Sequence, residues 1–324
     1  MLVSVLLFAV GLVLLIKGGD WFVDGATGIA KRFNLPDIVV GATVVSIGTT
    51  LPEVMVSTTG ALAGSGAMAY GNAIGSIICN TALIAAISIT CNPGPVNVKS
   101  MKTPAIFFFM SAALYCLAAY GLGTFPRWMG FVMLGIFVVY MVLTVRNGLQ
   151  NPDTAEEEEE EESKPKALWQ ELLLLVVGAA VIAVGADLLV DHGQIIAIGL
   201  GVPETVVALL FVALGTSLPE LVTTITSLKK GRASLGVGNV IGANVFNLVL
   251  VSGVAVSLAP FDVPVENELL NTGLNLSLVF DIPVMLLVMS LMIFPALATK
   301  KLGRWQGIAL LCIYAAFCIC QFTL

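Results

Sequence analysis

Two carboxylates stand where an apolar chain should not hold them. Glu53 lies in "IGTTLPEVMV" and Glu220 in "LGTSLPELVT", both inside long hydrophobic runs. Inside a membrane segment each ionisable group costs at least ~2.5 kcal/mol on insertion scales and marks an ion path more often than a structural contact. Hydroxyls precede each carboxylate by three and four residues: Thr49 and Thr50 before Glu53, Thr216 and Ser217 before Glu220. Downstream, "GNAIGSIICN" carries Asn72, Ser76 and Asn80 at i, i+4 and i+8, one face of a helix. "GNVIGANVFN" keeps Asn239 and Asn247 but has Ala243 in place of the serine. Carboxylates, amides and hydroxyls form a hard-oxygen set that suits Ca²⁺, which takes six to eight oxygens in flexible geometry, and Na⁺. Softer metals would call for His or Cys, and the single His192 has no partner in the pattern.

Local rules say how these groups are presented. Gly48 and Pro52 suit an uninterrupted helix poorly, since proline has no N–H to donate. Thr50 with Glu53, and Ser217 with Glu220, match a capping box. Each motif is therefore expected to be two half-helices joined at a break, freeing carbonyls around Ser46 to Thr49 and Ala213 to Thr216. Such backbone survives at membrane depth only against protein or a water-filled cavity. The competing reading makes each glutamate a local cap with no ligand. Asn80 and Asn247 read as ligands. For Asn72 and Asn239, ligation and helix–helix glue stand equal, with glycines at 71, 75, 238 and 242 permitting close approach.

The elements that must position these residues are membrane helices. The chain of 324 residues is 58% hydrophobic and 11% charged, against about 25% charged in a soluble domain. Ten apolar segments follow one another, roughly 2–30, 36–62, 70–91, 103–122, 128–148, 167–195, 203–228, 234–259, 270–298 and 304–323. The first has no basic n-region or cleavage site and is kept as a membrane helix. An offset of 167 residues superposes Glu53 on Glu220, Gly18 on Gly185, Asp20 on Asp187 and Asp24 on Asp191, and "RWMG" at 127 later meets "RWQG" at 304. The expected fold is therefore an all-α polytopic membrane protein of ten helices, two five-helix repeats, 1–148 and 167–324, with broken helices 2 and 7. Five is odd, so the second repeat enters the membrane from the opposite side, the inverted architecture of many secondary transporters with a mid-membrane site.

Residues 149–166 read as an acidic cytoplasmic linker. They contain the run Glu156 to Glu162, without which the formal charge of −6 becomes +1. Thirteen of the fifteen basic residues fall in loops on one side and Arg127 alone on the other, with Lys17 inside the first segment. The positive-inside rule then puts both termini outside the cytoplasm. The six cysteines read as small apolar fillers without disulfides.

The paired stretches "GATVVSIGTTLPE…GNAIGSIICN" and "VALLFVALGTSLPE…GNVIGANVFN" closely resemble the two repeats of the cation/Ca²⁺ exchanger superfamily, specifically prokaryotic Na⁺/Ca²⁺ exchangers. The resemblance spans nearly the whole chain. It implies a site between helices 2, 3, 7 and 8 where Glu53 and Glu220 bind Ca²⁺ and Na⁺ alternately. Thr49, Thr50, Ser76, Thr216 and Ser217 would help form Na⁺ sites with the carbonyls of Ser46 and Ala213. It also implies that helices 1 and 6 slide across an eight-helix core, with the four aspartates near their ends either lining the passageways or serving as plain helix-end polar residues. Some relatives carry Asp where this chain has Asn247, and Ala243 lacks the hydroxyl of Ser76. A proton-coupled branch has a "GNAxE" pattern, which this chain does not.

The expectation is an electrogenic antiporter of a prokaryotic plasma (inner) membrane, exchanging Na⁺ for Ca²⁺. Its partners would be the two ions and the lipid bilayer, with no cofactor and no nucleic acid. The nearest rival is H⁺/Ca²⁺ or K⁺-dependent exchange, with a cation channel behind it. The sequence carries no Ser/His, paired-Asp or HExxH arrangement that would suit an intramembrane enzyme.

Overall fold

The structure is a computed structural model and describes residues 2–150, 167–200, 215–264 and 275–323. The described residues are mostly helical. Before the acidic linker run α1 (Leu2–Arg32), α2 (Asp37–Leu62), α3 (Gly66–Cys91), α4 (Val98–Leu122) and α5 (Arg127–Gln150). After it run α6 (Leu168–Gly199), α7 (Leu218–Lys229), α8 (Ala233–Leu258), α9 (Ser277–Thr299) and α10 (Arg304–Thr323). Among the described residues nine of these, all but the twelve-residue α7, are long and apolar enough to cross a membrane. The expected linker at 149–166 falls almost wholly outside the described residues, the first half of the expected seventh segment entirely so.

Burial sorts the helices into layers. The best-buried windows are in α8, α3 and α2, at 83, 72 and 61%, whereas that of α10 is buried over only 17%. The outer helices turn Leu, Val, Ile and Phe outward, as a bilayer solvent permits. The inner helices carry most of the buried polar residues.

Where α2 crosses α8, backbones meet directly. A Cβ at Gly238 would strike the Ile38 carbonyl, and one at Gly242 would strike Ala42 and the Ser46 hydroxyl. α1 and α6 pair antiparallel along a seam of small residues, with Gly18 against Ile182 and Gly178 against Phe22. This is close packing of the small-residue kind that joins membrane helices.

Two short antiparallel clips tie the halves together: β1 (Gly94–Pro95) with β4 (Lys301–Leu302), and β2 (Thr124–Phe125) with β3 (Phe261–Asp262). They lie at opposite ends of α4, whose 25 residues span about 37 Å. The 167-residue offset carries β1 onto β3, and the alignment of "RWMG" with "RWQG" carries β2 onto β4.

The expected break in the second segment is corrected by the structure. α2 is not two half-helices parted at "GTT": winding switches to π over Gly41–Val45, and an α-helix then runs from Ser46 to Leu62 through Gly48 and Pro52. The irregularity sits earlier because its carbonyls are satisfied there. Ser46 returns both its N–H and its hydroxyl to the Gly41 carbonyl, the latter at 2.8 Å, and Tyr140 Oη donates to the Ala42 carbonyl at 2.8 Å. Pro52, lacking an N–H, leaves the Gly48 carbonyl without its helical donor. In the second motif the expected first half-helix lies outside the described residues; beyond it Thr216 and Ser217 form a turn, Ser217 is the N-cap, and α7 begins with Pro219 and Glu220 in its first turn.

The ends of the α1/α6 pair differ. Gly19 of α1 packs tightly on Val222 and Thr226 of α7. The offset equivalents of those two residues on α2 are uncovered, with Met55 66% exposed and Thr59 also exposed. Lys230, just after α7, holds Asp24 Oδ1 at 2.6 Å and Asp20 Oδ1 at 3.7 Å, and donates to the Asp20 carbonyl at 3.1 Å. Among the described residues no cation pairs with Asp187 or Asp191 at the other end.

Candidate functional site

Four elements converge at the centre. The Glu53 stretch of α2 packs on the π-turn opened by Asn247, and α7, with Glu220, packs on the π-turn opened by Asn80. These π-turns, Asn80–Ala85 and Asn247–Val251, start at residues related by the 167-residue offset. π-bulges inside helices concentrate at functional sites because they redirect side chains and loosen carbonyls. In α8 the loosened Asn247 carbonyl is taken by the N–H and hydroxyl of Ser252, the latter at 2.8 Å.

Glu53, Glu220, Asn80, Asn247, Thr49, Thr50, Ser76, Ser217 and Ser46 are all buried, and Thr216 is half-buried. Ala213 lies outside the described residues. Glu53 and Glu220 are near enough for each charge to act on the other, and the Thr49 and Thr50 hydroxyls lie beside the Glu220 carboxylate.

The capping reading fails on geometry. Thr50 and Glu53 sit inside a running helix. At α7, Ser217 and Glu220 occupy the N-cap and third helical positions, yet no side chain caps. Both oxygens of each carboxylate, the Thr50 and Ser217 hydroxyls, and both polar atoms of Asn80 and of Asn247 are buried without a hydrogen-bond partner. Buried polar atoms are almost always paired, and a buried charge is paired or coordinates a metal. Such a concentration of oxygen donors around two carboxylates has the chemistry that would suit a cation. Among the described residues no group of three or more His, Cys, Asp or Glu gathers, so the charge comes from two glutamates and the remaining donors are neutral oxygens. A site of formal charge −2 is matched by one Ca²⁺ or two Na⁺.

The asparagines left open by sequence resolve as connectors. Asn72 Nδ2 donates to Ser57 Oγ at 2.8 Å and to the Glu53 carbonyl at 3.3 Å. Asn239 Oδ1 accepts from Thr49 Oγ1 at 3.1 Å, and the one proton of Ser46 Oγ is shared between the Gly41 carbonyl at 2.8 Å and the Asn239 carbonyl at 2.9 Å. Cys79 is buried with its thiol free, accepting from Tyr314 Oη at 3.9 Å. Among the described residues no cysteine forms a disulfide.

Sequence reasoning missed three hydroxyls, those of Thr223, Thr224 and Ser227, buried on α7 without partners. Their spacing of i+3, i+4 and i+7 from Glu220 was the available signal. It was hidden because the equivalent residues of the first motif are Val56, Ser57 and Gly60.

Residues 3–146 and 171–323 match the sodium/calcium exchanger protein family. An uncharacterised membrane protein of Methanocaldococcus jannaschii is 34% identical over 307 residues, covering 95% of this chain and 94% of its own length. The sodium/calcium exchanger MaX1 of Methanosarcina acetivorans is 29% identical, covering 99% of both chains. The solved structure of the sodium-calcium exchanger NCX_Mj soaked with Na⁺ and no Ca²⁺ aligns at a TM-score of 0.77 with 32% identity, covering 97% of each chain.

Proposed function

We propose, from the premise that this chain belongs to the sodium/calcium exchanger family, that it is an integral membrane antiporter carrying Na⁺ one way and Ca²⁺ the other by alternating access. The family is one of transporters, not enzymes. The observation that carries the reading is the shell of ten unpartnered buried polar atoms, drawn from offset-related motifs, around Glu53 and Glu220.

In this reading Glu53 and Glu220 hold Ca²⁺ with the amide oxygens of Asn80 and Asn247. Thr49, Thr50, Ser76, Thr216 and Ser217, with the carbonyls of Ser46 and Ala213, complete the Na⁺ positions. An empty site of charge −2 is costly to carry through a low-dielectric barrier. Neutralised by one Ca²⁺ or two Na⁺ it crosses easily, so a change of side requires bound cation and transport is obligate exchange. More than two Na⁺ per Ca²⁺ makes the cycle electrogenic.

The architecture belonging to this reading is ten spans in two inverted five-helix repeats, 1–148 and 167–324, joined by the cytoplasmic linker 149–166. α7 is then the second half of the seventh span. The related clips at opposite ends of α4 favour inversion. Both termini lie outside the cytoplasm, and α1 with α6 moves as a pair across the other helices.

Inverted membrane vesicles loaded with Na⁺ and diluted into Na⁺-free medium with labelled Ca²⁺ test the function. Ca²⁺ uptake that follows the imposed Na⁺ gradient is expected. Uptake that ignores Na⁺ and follows a pH gradient would replace this reading with proton-coupled exchange.

A further inference from the structure

The two repeats use their equivalent asparagines differently. Asn72 donates within its own repeat, to Ser57 and the Glu53 carbonyl. Asn239 Oδ1 accepts across the repeat boundary, from Thr49. Thr49, Ser46 and Asn239 are all buried, and Gly238 and Gly242 let α8 come close enough for the contact. A hydroxyl has one proton and two lone pairs. With the Thr49 proton committed to Asn239 Oδ1, the lone pairs of Thr49 are left for a cation held at Glu53, one helical turn further along α2. A Thr49 proton aimed at Glu220 would instead occupy the carboxylate and compete with a cation for it. Among the described residues the equivalent pair, Thr216 and Asn72, makes no such bond, since Asn72 turns its amide to Ser57 and the Glu53 carbonyl.

We propose that Asn239 is a positioning residue for Na⁺ in the exchange cycle: it takes up the Thr49 proton and so sets Thr49 as a cation ligand. This rests on the Na⁺/Ca²⁺ reading of the site. Na⁺ bears the consequence more than Ca²⁺ does. The divalent ion draws on both carboxylates at once, whereas a singly charged ion held by one carboxylate depends more on each neutral oxygen.

The test is calorimetric titration of the purified full chain with Ca²⁺ at several Na⁺ concentrations. In the unmodified protein Na⁺ is expected to weaken apparent Ca²⁺ binding. Asn239→Leu is expected to weaken Na⁺ competition about tenfold while changing Ca²⁺ affinity in Na⁺-free buffer less than about threefold. Thr49→Val should do the same, and the double variant should be no worse than either single one. Asn239→Asp keeps the acceptor and should keep Na⁺ competition. Equal weakening of both ions, or additive effects in the double variant, would overturn the proposal. If Asn239→Leu does not run as a folded species on size exclusion, Asn239→Asp and Thr49→Val decide the matter. Loss in Thr49→Val alone supports the proposal, and any other pattern overturns it. Absence of Na⁺ competition in the unmodified protein would instead overturn the exchange reading itself.

Discussion

At the scale of the residue, the question is what two buried carboxylates do without partners. Replacing either with glutamine keeps shape and removes one charge of two. Loss of one charged member of a desolvated set costs about 3–5 kcal/mol, so Glu53→Gln and Glu220→Gln are each expected to weaken Ca²⁺ binding about a hundredfold or more. Folding should persist, because neither carboxylate makes a side-chain hydrogen bond that the helices rely on. Calorimetry with Ca²⁺, beside a thermal melt, checks both parts; a variant that keeps its affinity removes that glutamate from the site. Both glutamates were legible in sequence, because a charge in an apolar run is anomalous by itself and twofold repetition removes chance. The division of labour between Asn72 and Asn239 was not. An amide both donates and accepts, and only the neighbours brought by tertiary packing select which.

Elements explain the difference between the two motifs. "GTTLPE" and "GTSLPE" obey the same local rules, yet only the second starts a helix at the expected place. In the first, tertiary partners override propensity. Tyr140, far along the chain, takes the Ala42 carbonyl, and Ser46 closes the π-turn, so the disturbance settles ahead of the motif. The π-turns at Asn80 and Asn247 were equally invisible, since their residues suit an ordinary helix. The α2–α8 crossing is legible in part, through the glycines at 238 and 242. Gly238→Leu would drive a side chain into the Ile38 backbone, and overpacking of this sort costs about 1–3 kcal/mol. The expected result is a lower midpoint of thermal unfolding together with weaker Ca²⁺ binding, because α2 carries Glu53. Gly71→Leu, where a Cβ meets nothing within 4 Å, should leave both unchanged. Equal behaviour of the two variants would mean that the crossing does not position the site.

The whole molecule is asymmetric in a way that its repeated sequence only half discloses. α1 closes on α7 at the end rich in basic loop residues, while the equivalent surface of α2, Met55 and Thr59, is open. Lys230 fastens the closed end by gripping Asp20 and Asp24 of α1. Its offset equivalent is Ala63, so Asp187 and Asp191 meet no matching lysine. Alignment alone could find the missing lysine but not that Lys230 reaches across to α1. The charges are partly exposed, at 30% for Lys230 and 46% for Asp24, so the pairing contributes only about 0.2–1 kcal/mol. That is negligible for folding yet able to move a two-state equilibrium up to about fivefold. Thr226 faces Gly19 at the closed seam, which makes it a reporter. With the six native cysteines replaced, a cysteine at Thr226 should react slowly with a small thiol reagent supplied from the basic-loop side. Adding Lys230→Gln should speed that reaction several-fold without lowering the unfolding midpoint. The charge swap Lys230→Asp with Asp24→Lys should restore the slow rate at low salt, and less so at 1 M salt, where the Debye length falls to about 3 Å. A rate indifferent to Lys230, or a swap that fails to restore it, would show that the seam stays closed by packing and not by this pair.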